Sequence, residues 1–255
     1  MKGIIPCGGR GTRLQPLTHA LPKSILPIHN LPMILYPIKT LIAAGITDII
    51  LVANTDHFSH FTKLLGNGRK FGCNLTYVIQ EEPLGIAHAI NECRHICEGH
   101  DVAVILGDNL FFDNFEDSVN NFKSGSVIHT VEVKDPERFG VAELDDNMNV
   151  LSVEEKPENP KSNNAITGFY LFDKTIFEKI ENLEPSARGE YEVTDIIKQY
   201  LDDSELKAFK LDHIWADTGT ISSLSDASKT VNDYLIENKI NYLYEKSRLI
   251  RPSSV

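Results

Sequence analysis

The first 47 residues of the chain contain no aspartate or glutamate, although the 255-residue chain carries a formal net charge of −11. The first acidic residue is Asp48, and the segment before it holds only basic charges: Lys2, Arg10, Arg13, Lys23 and Lys39. A purely cationic segment in an acidic chain indicates a pocket for an anion. The acidic balance of the whole chain argues against a nucleic-acid binder, which normally has a net basic footprint.

Long apolar runs are also missing. No run reaches the roughly 18 residues of a membrane-spanning helix, so we expect no membrane span. The short apolar stretch at the N-terminus ends at Pro6 and a group of glycines, and it is too short for the core of a signal peptide. We therefore expect a cytoplasmic location.

Cysteine is scarce, and the four residues show no metal-ligand spacing: Cys7, Cys73, Cys93 and Cys97. We expect free, partly buried thiols in a reducing compartment. The chain also lacks the HExxH zinc motif and the Gly-x-Ser-x-Gly elbow of hydrolases. His57 and His60 lie three residues apart without acidic or cysteine partners that would complete a zinc site, so we predict that they are surface residues of a helix.

Two common phosphate-binding motifs are absent as well. The GxGxxG dinucleotide motif fails because Leu14 stands where the third glycine should follow Gly9 and Gly11. The Walker pattern GxxxxGK[ST] does not occur. A nicotinamide-dependent dehydrogenase and a P-loop NTPase are therefore disfavoured.

A glycine-rich turn is present instead, directly after the first apolar run. Gly8, Gly9 and Gly11 lead into Arg13, and Lys23 follows ten residues later. Glycines allow a tight turn whose N–H groups approach a ligand, and the neighbouring cations would oppose the charge of a polyphosphate. The alternative is a turn that serves packing alone, with basic residues on a solvated surface.

Strand and helix patterns alternate over the first hundred residues, which predicts a parallel sheet with helices on both sides. The first predicted strand ends at Ile5, and three further strands are predicted at 48–53, 75–80 and 102–106. The predicted helices span 33–44, 57–65 and 85–97. Strand-like segments then follow with few helices between them, which predicts mixed or antiparallel pairing: 125–133, 141–144, 150–154 and 165–172. The remaining elements are helices at 175–182, 193–201 and 222 to about 249, with a strand at 208–211.

Residues that follow predicted strands are the candidates for ligand contact, because open α/β sheets bind ligands at the carboxyl ends of their strands. Gln80 could read the edge of a nucleobase, since an amide both donates and accepts hydrogen bonds, and Gly85 would let a base lie against backbone. Asp108 is a natural Mg²⁺ ligand beside a phosphate loop. Asp217 either caps the helix that follows it or completes that metal site.

The order of several stretches resembles the sugar-1-phosphate nucleotidylyltransferases, most closely the short form of the glucose-1-phosphate thymidylyltransferases. The similar stretches cover roughly residues 2–228: GGRGTRLQPLT…PKSILPI, LGNGRKFG, QEEPLGIAHA, LGDNLFF, DPERFGVAEL, EEKPENPKSNNAITGFYLFD, PSARGEYEVTDI and WADTGT. The resemblance implies a Rossmann-like three-layer αβα fold with a mixed, mostly parallel sheet and a smaller antiparallel portion that binds the sugar. It implies one domain over 1–255, divided into a nucleotide portion (1–125), a sugar-phosphate portion (126–220) and a C-terminal helical segment (221–255).

The reaction that the resemblance implies joins a nucleoside triphosphate, best dTTP, to a hexose 1-phosphate, best glucose 1-phosphate, with Mg²⁺ and release of pyrophosphate. Matching positions imply the catalytic residues Arg13, Lys23 and Lys156. They imply nucleotide contacts from Gly8, Gly9, Gly11, Thr12, Gln80, Pro83 and Gly85. They imply sugar-phosphate contacts from Gly140, Glu155, Ile166 and Arg188, and a metal held by Asp108 and Asp217.

The absence of a catalytic triad agrees with this reaction, because the attacking phosphate oxygen is already anionic and needs no general base. Five positions depart from the family's usual residues and bear on the choice of base and sugar: Pro6, Cys7, Arg10, Ser24 and His88. The alternatives are the same reaction with UTP, CTP or another nucleotide and a different sugar, or a non-catalytic protein that binds nucleotide sugars. We expect small-molecule substrates, no nucleic-acid or membrane partner, and a homo-oligomer.

Overall fold

The computed structural model describes residues 1–237, so the part of the predicted C-terminal helix beyond 237 lies outside the described residues. The strands are Lys2–Pro6 (β1), Pro27–Ile28 (β2), Leu31–Pro32 (β3), Asp48–Ala53 (β4), Asn74–Ile79 (β5), Val102–Ile105 (β6), Asn109–Phe111 (β7), Ser126–Glu132 (β8), Gly140–Leu144 (β9), Val150–Glu155 (β10), Asn164–Phe172 (β11), Leu206–Lys210 (β12) and Trp215–Asp217 (β13). The helices are Leu35–Ala43 (α1), Phe58–Leu65 (α2), Ile86–Asn91 (α3), Arg94–Cys97 (α4), Glu116–Asn120 (α5), Ile176–Glu181 (α6), Val193–Asp202 (α7) and Ile221–Glu237 (α8).

Nine of these strands form one mixed sheet. Its main path runs β10-β9-β11-β6-β1-β4-β5, while β8 pairs with β11 and β12 pairs with β8. The strands β6, β1, β4 and β5 are parallel, whereas β11 runs antiparallel to β6, β8 and β9. The sheet is therefore parallel at one end and mainly antiparallel at the other, as expected.

Helices cover both faces of the sheet because its central strands are apolar on both sides. In β1, Ile4 packs with α3, α6 and α7, and Ile5 packs with α1 and α2 on the opposite face. Both side chains are 0% exposed. A third cluster joins the first loop to α8 through Leu14, Ile28 and Val231. The three-layer αβα prediction is confirmed.

Most predicted elements are confirmed, with boundaries that differ by at most two residues. The predicted helix over 85–97 is wrong as a single element, because it divides into α3 and α4. At the break Cys93 has φ −90° and ψ −1°, and its N–H bonds to Ile90, three residues back, rather than four. The four cysteines are free, as expected, but all four are fully rather than partly buried.

Two short antiparallel pairs, β2 with β3 and β7 with β13, were not predicted. Each strand has only two or three residues, which is too short for a periodic pattern. The second pair matters most, because it places Asp217 opposite Asn109. Among residues 1–237, no helix has the length and apolar character needed to cross a membrane.

Candidate active site

A cleft of about 620 Å³ opens where β1, β5 and β6 end and extends over the antiparallel strands β9 to β11. Every residue that the sequence and the resemblance assigned to the site lines this cleft: Gly8, Gly9, Gly11, Thr12, Arg13, Lys23, Gln80, Pro83, Gly85, Asp108, Gly140, Glu155, Lys156, Ile166, Arg188 and Asp217. These residues come from distant parts of the chain, so the fold brings together what the sequence holds apart.

The loop after β1 requires glycine for steric reasons. A Cβ atom at Gly8 would clash with Oε1 of Gln80, so only glycine fits without moving that amide. The Gly8 carbonyl accepts a hydrogen bond from Asn54 Nδ2 at 3.2 Å. Gly11 has φ +62°, a left-handed conformation that favours glycine, and its carbonyl accepts a hydrogen bond from Thr18 Oγ1 at 2.8 Å. The loop is thus held from both sides.

The cationic side chains of the loop meet the two aspartates. Lys23 Nζ forms an ion pair with Asp108 Oδ2. A Cβ atom at Gly219 would lie 3.0 Å from Arg13 Nη2 and 3.2 Å from Asp217 Oδ2, so these two side chains border the same small space. The loop cations and the aspartates therefore form one charged cluster.

The pairing of β7 with β13 brings the two aspartates together. The carbonyl of Asp108 accepts hydrogen bonds from Thr218 N at 3.0 Å and Thr218 Oγ1 at 2.7 Å. Burial and the nearby charge of Asp108 raise the pKa of Asp217 to about 6, against the opposing effects of nearby cations such as Lys23 and Arg13. Burial also acts to raise the pKa of Asp108, but the charge and hydrogen bond of Lys23 outweigh it and leave that pKa below its usual value.

This pair fits Mg²⁺. Its two carboxylates lie close enough to repel each other, and a divalent cation would relieve that repulsion. Mg²⁺ commonly takes one or two carboxylates together with substrate phosphate oxygens. Within the described chain, no group of three or more histidine, cysteine or acidic residues is arranged to hold a metal ion. The pair therefore suits a cation that arrives with a phosphate ligand.

Asn109 was missed from the sequence, although it positions Asp108. Its Nδ2 donates to Asp108 Oδ1 at 3.1 Å. Its Oδ1 accepts from the Gly168 N–H at 3.1 Å and from Trp215 Nε1 at 2.6 Å. The only sequence signal was its place directly after Asp108, which does not distinguish a supporting residue from a turn residue.

The edge of the cleft beside β5 is narrow and built around Gln80. This side chain is 3% exposed, and its backbone N–H donates to Ala53 O at 2.9 Å. Gly85 has φ +106°, and a Cβ atom there would lie 2.5 Å from the carbonyl oxygen of Tyr191. Any side chain at this position would be both strained and obstructed.

The opposite half of the cleft is a network of charged side chains. Arg188 Nη2 lies 3.2 Å from Glu155 Oε1 and 2.7 Å from Glu192 Oε1. Thr194 Oγ1 donates to the other oxygen of Glu155 at 3.2 Å. Burial lowers the pKa of Arg188, but its carboxylate neighbours outweigh burial and raise it above its usual value. Arg188 is thus engaged by carboxylates, which holds Glu155 in place.

Lys156 lies at the end of β10 in an unusual conformation. Its φ is +43°, which is uncommon for a residue with a side chain. Its N–H donates to Phe139 O at 2.9 Å, and its Nζ lies 3.3 Å from Glu155 Oε1. A Cβ atom at Gly140 would lie 2.8 Å from Thr194 Cγ2, so this wall also leaves no room for a side chain. Ile166 is 5% exposed and forms part of the floor.

Other lining residues were not predicted. Arg138 Nη2 lies 3.8 Å from Asp217 Oδ2, and its guanidinium stacks over the Phe139 ring at 5.2 Å. Arg138 belongs to the DPERFG stretch, where its position beside two acidic residues resembles a solvated charge run. Tyr170 lies on β11, within an apolar run that indicated only a buried strand.

The positions that depart from the family pattern differ in their distance from the cleft. Pro6 lines it, whereas Cys7 lies beneath it, packed so closely that a Cβ atom at Gly107 would clash with Cys7 Sγ. Burial raises the pKa of the Cys7 thiol to about 12. Arg10 is exposed and Ser24 is buried, and neither lines the cleft. His88 does not line it either, but it contacts Gln80.

Comparisons with known proteins agree on one family. The family model described as nucleotidyl transferase matches residues 2–234. The glucose-1-phosphate thymidylyltransferase of Neisseria gonorrhoeae is 43% identical over 237 residues, which cover 91% of this chain and 82% of that protein. The enzyme of the same name from Mycolicibacterium smegmatis is 43% identical over 238 residues, with coverage of 91% and 82%.

Solved structures give the same result. A Bacillus anthracis protein described as a glucose-1-phosphate thymidylyltransferase, solved with sucrose, superposes with a TM-score of 0.87 at 41% identity, covering 91% of this chain and 96% of the other. A UDP-glucose pyrophosphorylase solved with UDP-glucose superposes with a TM-score of 0.80 at 24% identity, covering 91% and 98%. At that identity the second likeness concerns the fold alone.

Proposed function

The chain belongs to the nucleotidyl transferase family, and on this premise we propose that it joins dTTP to glucose 1-phosphate, giving dTDP-glucose and pyrophosphate. That it is a sugar-1-phosphate nucleotidylyltransferase follows from its relatives. The choice of dTTP and glucose 1-phosphate is the proposal. It draws support from relatives at 43% identity whose names carry these substrates.

The observation that carries the proposal is a single cleft with two unlike halves. One half, called here the nucleotide half, consists of the glycine loop, Gln80, Gly85 and the cluster around Asp108. The other, called the sugar half, consists of the network around Glu155, with Lys156 and Arg188. Two anionic substrates that must react with each other need this kind of shared space.

The chemistry requires positioning and charge neutralisation rather than proton abstraction. The phosphate oxygen of the sugar 1-phosphate is anionic at neutral pH, and it attacks the α-phosphorus in line with the departing pyrophosphate. Arg13 and Lys23 would hold the triphosphate and stabilise the pyrophosphate as it leaves. Lys156 would hold the sugar phosphate as a point charge. No side chain needs to become covalently attached.

The remaining predicted contacts follow the same division. In the nucleotide half, the base would lie against Gln80, Pro83 and Gly85, and the loop Gly8, Gly9, Gly11 and Thr12 would hold the rest of the nucleotide. In the sugar half, Glu155 would accept hydrogen bonds from sugar hydroxyls while Arg188 keeps it in position, and Gly140 and Ile166 would shape the wall.

Asp108 and Asp217 would hold Mg²⁺, which supplies positive charge to the phosphates when it is bound. The support for this assignment is the mutual repulsion of two buried carboxylates at the phosphate end of the cleft. Lys23 forms an ion pair with Asp108, so the same lysine would contact both this metal ligand and the phosphates.

We also propose that the protein acts in the cytoplasm as a homo-oligomer built from one nucleotidyltransferase domain per chain, with no nucleic-acid or membrane partner. The acidic charge of the chain supports the absence of a nucleic-acid partner. Light scattering after gel filtration would measure the mass in solution. A mass of one chain would contradict the oligomer.

The function is tested by pyrophosphate release across five nucleoside triphosphates and several sugar 1-phosphates. We expect the highest kcat/KM for dTTP with glucose 1-phosphate, dependence on Mg²⁺, and no release when either substrate is omitted. A higher value for UTP or CTP would overturn the choice of nucleotide. Binding of a nucleotide sugar without turnover of any pair would favour the non-catalytic alternative.

A further inference from the structure

We propose that His88 is a positioning residue that fixes the amide of Gln80 with its carbonyl oxygen toward the cleft, so that the site selects nucleobases that carry a hydrogen on the ring nitrogen facing it. This inference rests on the proposed function, because it concerns the base of the same nucleotide. His88 lies on α3 and does not line the cleft, so it would act through Gln80 and not by touching the base.

The orientation of the Gln80 amide follows from Gly85. One terminal atom of the amide lies 3.3 Å from the carbonyl oxygen of Gly85. A carbonyl oxygen only accepts hydrogen bonds, so the atom facing it must be the donor Nε2. The same atom lies 2.9 Å from Nδ1 of His88.

The tautomer of His88 follows in turn. Since Gln80 Nε2 has no lone pair to offer, Nδ1 of His88 must be the acceptor, and the ring proton must sit on Nε2. That nitrogen lies 3.3 Å from Oε1 of Glu92, a carboxylate whose negative charge favours a proton on this side of the ring. The Tyr191 ring is stacked against the imidazole at 6.3 Å between centroids and 24° between planes. Glu92 and Tyr191 thus hold the ring in the orientation that Gln80 needs.

Both hydrogens of the Gln80 amide nitrogen are therefore used inside the protein. Oε1 points toward Gly8, where a Cβ atom would clash with it. Among the residues that the structure describes, no donor reaches this oxygen, and it is not buried away from the cleft. The group that Gln80 presents to a ligand is an acceptor alone.

An acceptor favours bases that carry a hydrogen on the ring nitrogen facing it over bases that do not. Thymine and uracil carry N–H at ring position 3, and guanine carries N–H at position 1, so each can donate to Oε1. Cytosine and adenine have an unprotonated nitrogen at the equivalent ring position, so in the same pose they would place two acceptors against each other. A misplaced acceptor leaves a desolvated polar group without a partner, which weakens binding.

The test replaces the acceptor of His88. His88→Leu leaves Gln80 with only the 3.3 Å bond to Gly85, so the amide can turn and present its NH₂ group to the cleft. We expect KM for dTTP to rise about tenfold while kcat at saturation changes little, and kcat/KM for dTTP relative to CTP to fall about tenfold. His88→Gln restores an acceptor oxygen and should recover the dTTP preference.

Controls separate positioning from folding. His95→Leu changes an exposed histidine on the neighbouring helix and should leave both KM values unchanged. The inference would be overturned if His88→Leu lowered kcat/KM equally for dTTP and CTP, or left the preference for dTTP unchanged. It would also be overturned if His88→Gln did not recover that preference. Calorimetric binding of dTTP and CTP to the same proteins gives the preference independently of turnover. Absent pyrophosphate release with an intact binding preference would therefore refute the function and leave this inference standing.

Discussion

Each half of the cleft places cations among carboxylates, but the two halves differ in how closely those carboxylates are paired. In the sugar half, Arg188 lies 3.2 Å from Glu155 and 2.7 Å from Glu192, and these carboxylates outweigh burial and raise the pKa of Arg188. In the nucleotide half, Lys23 pairs with Asp108 while burial and Asp108 raise the pKa of Asp217 to about 6.

The two halves therefore suit different kinds of ligand. In the sugar half, Arg188 and Thr194 hold the carboxylate of Glu155 in place, so this half offers a fixed set of hydrogen-bonding groups to an uncharged sugar ring. In the nucleotide half, the cations beside Asp108 and Asp217 do not cancel the repulsion between these two buried carboxylates, so this half gains when a divalent cation enters with the triphosphate.

Asp108→Asn should lower kcat on the order of a thousandfold, because it removes a ligand for the charge that neutralises the phosphates. Binding of glucose 1-phosphate, measured by calorimetry, should be unchanged, since the sugar half is untouched. Asp146→Asn, at an exposed turn, is the matched control and should have full activity. Full activity of Asp108→Asn in pyrophosphate release would remove Asp108 from the metal site.

His129 is a buried titratable residue outside both halves of the cleft, and it should affect the stability of the fold but not substrate binding. His129 is 3% exposed, its Nδ1–H donates to Phe169 O at 3.2 Å, and burial lowers its pKa from 6.5 to about 4. Between pH 4 and pH 6.5, His129 therefore binds a proton in the unfolded chain but not in the folded chain. Its contribution to the unfolding free energy is therefore complete above pH 6.5 and falls by about 3 kcal/mol as the pH drops to 4.

Chemical denaturation of the wild type and His129→Gln between pH 4 and 7.5 measures this effect. The variant should lose the part of the pH dependence of the unfolding free energy that His129 contributes. KM for dTTP and KM for glucose 1-phosphate at pH 7.5 should stay as in the wild type. An unchanged slope in the variant would show that another group is responsible.

Gly85→Ala should distort the nucleotide half through the backbone. The residue has φ +106°, and the new Cβ would lie 2.5 Å from Tyr191 O, so we expect a loss of about 2 kcal/mol in unfolding free energy and a higher KM for dTTP. Gly99→Ala is the matched control, since Gly99 has φ +77° with nothing within 4 Å. It should lose about 1 kcal/mol and keep its KM. Equal losses would mean that contact with Tyr191 has no role.

Arg188→Lys should produce the smallest effect, confined to the sugar half. Lysine cannot reproduce the guanidinium contacts with Glu155 and Glu192, so KM for glucose 1-phosphate should rise about tenfold. KM for dTTP should not change. Arg69→Lys, on an exposed turn, serves as the control in the same steady-state assay. A parallel rise in both KM values would mean that the two halves do not act separately.

The nucleotide half was the easier half to predict from sequence, for a physical reason. Its loop places Gly8, Gly11 and Arg13 within a few consecutive residues, so a local pattern carries most of the information. The central strands were predictable because they are buried on both faces and leave continuous apolar runs.

The rest depends on contacts between distant segments. Asp108 and Asp217 meet only through a pair of three-residue strands, and nothing local predicts that pairing. Sequence patterns did not predict Asn109, Arg138 or the bond between Gln80 and His88, because no local pattern marks a residue that supports another side chain. In the sugar half, the sequence around Glu155 is typical of a solvated charge run, and only the packing of β9, β10 and α7 around this residue places it in the site.

The central claim is that the two halves hold two substrates so that the sugar phosphate itself attacks the α-phosphorus. The most direct test is the stereochemical course with one diastereomer of dTTP that carries sulfur at the α-phosphorus, read from the product by ³¹P NMR. Direct attack predicts inversion at phosphorus. Retention would require a nucleotide covalently attached to the protein and would contradict the account.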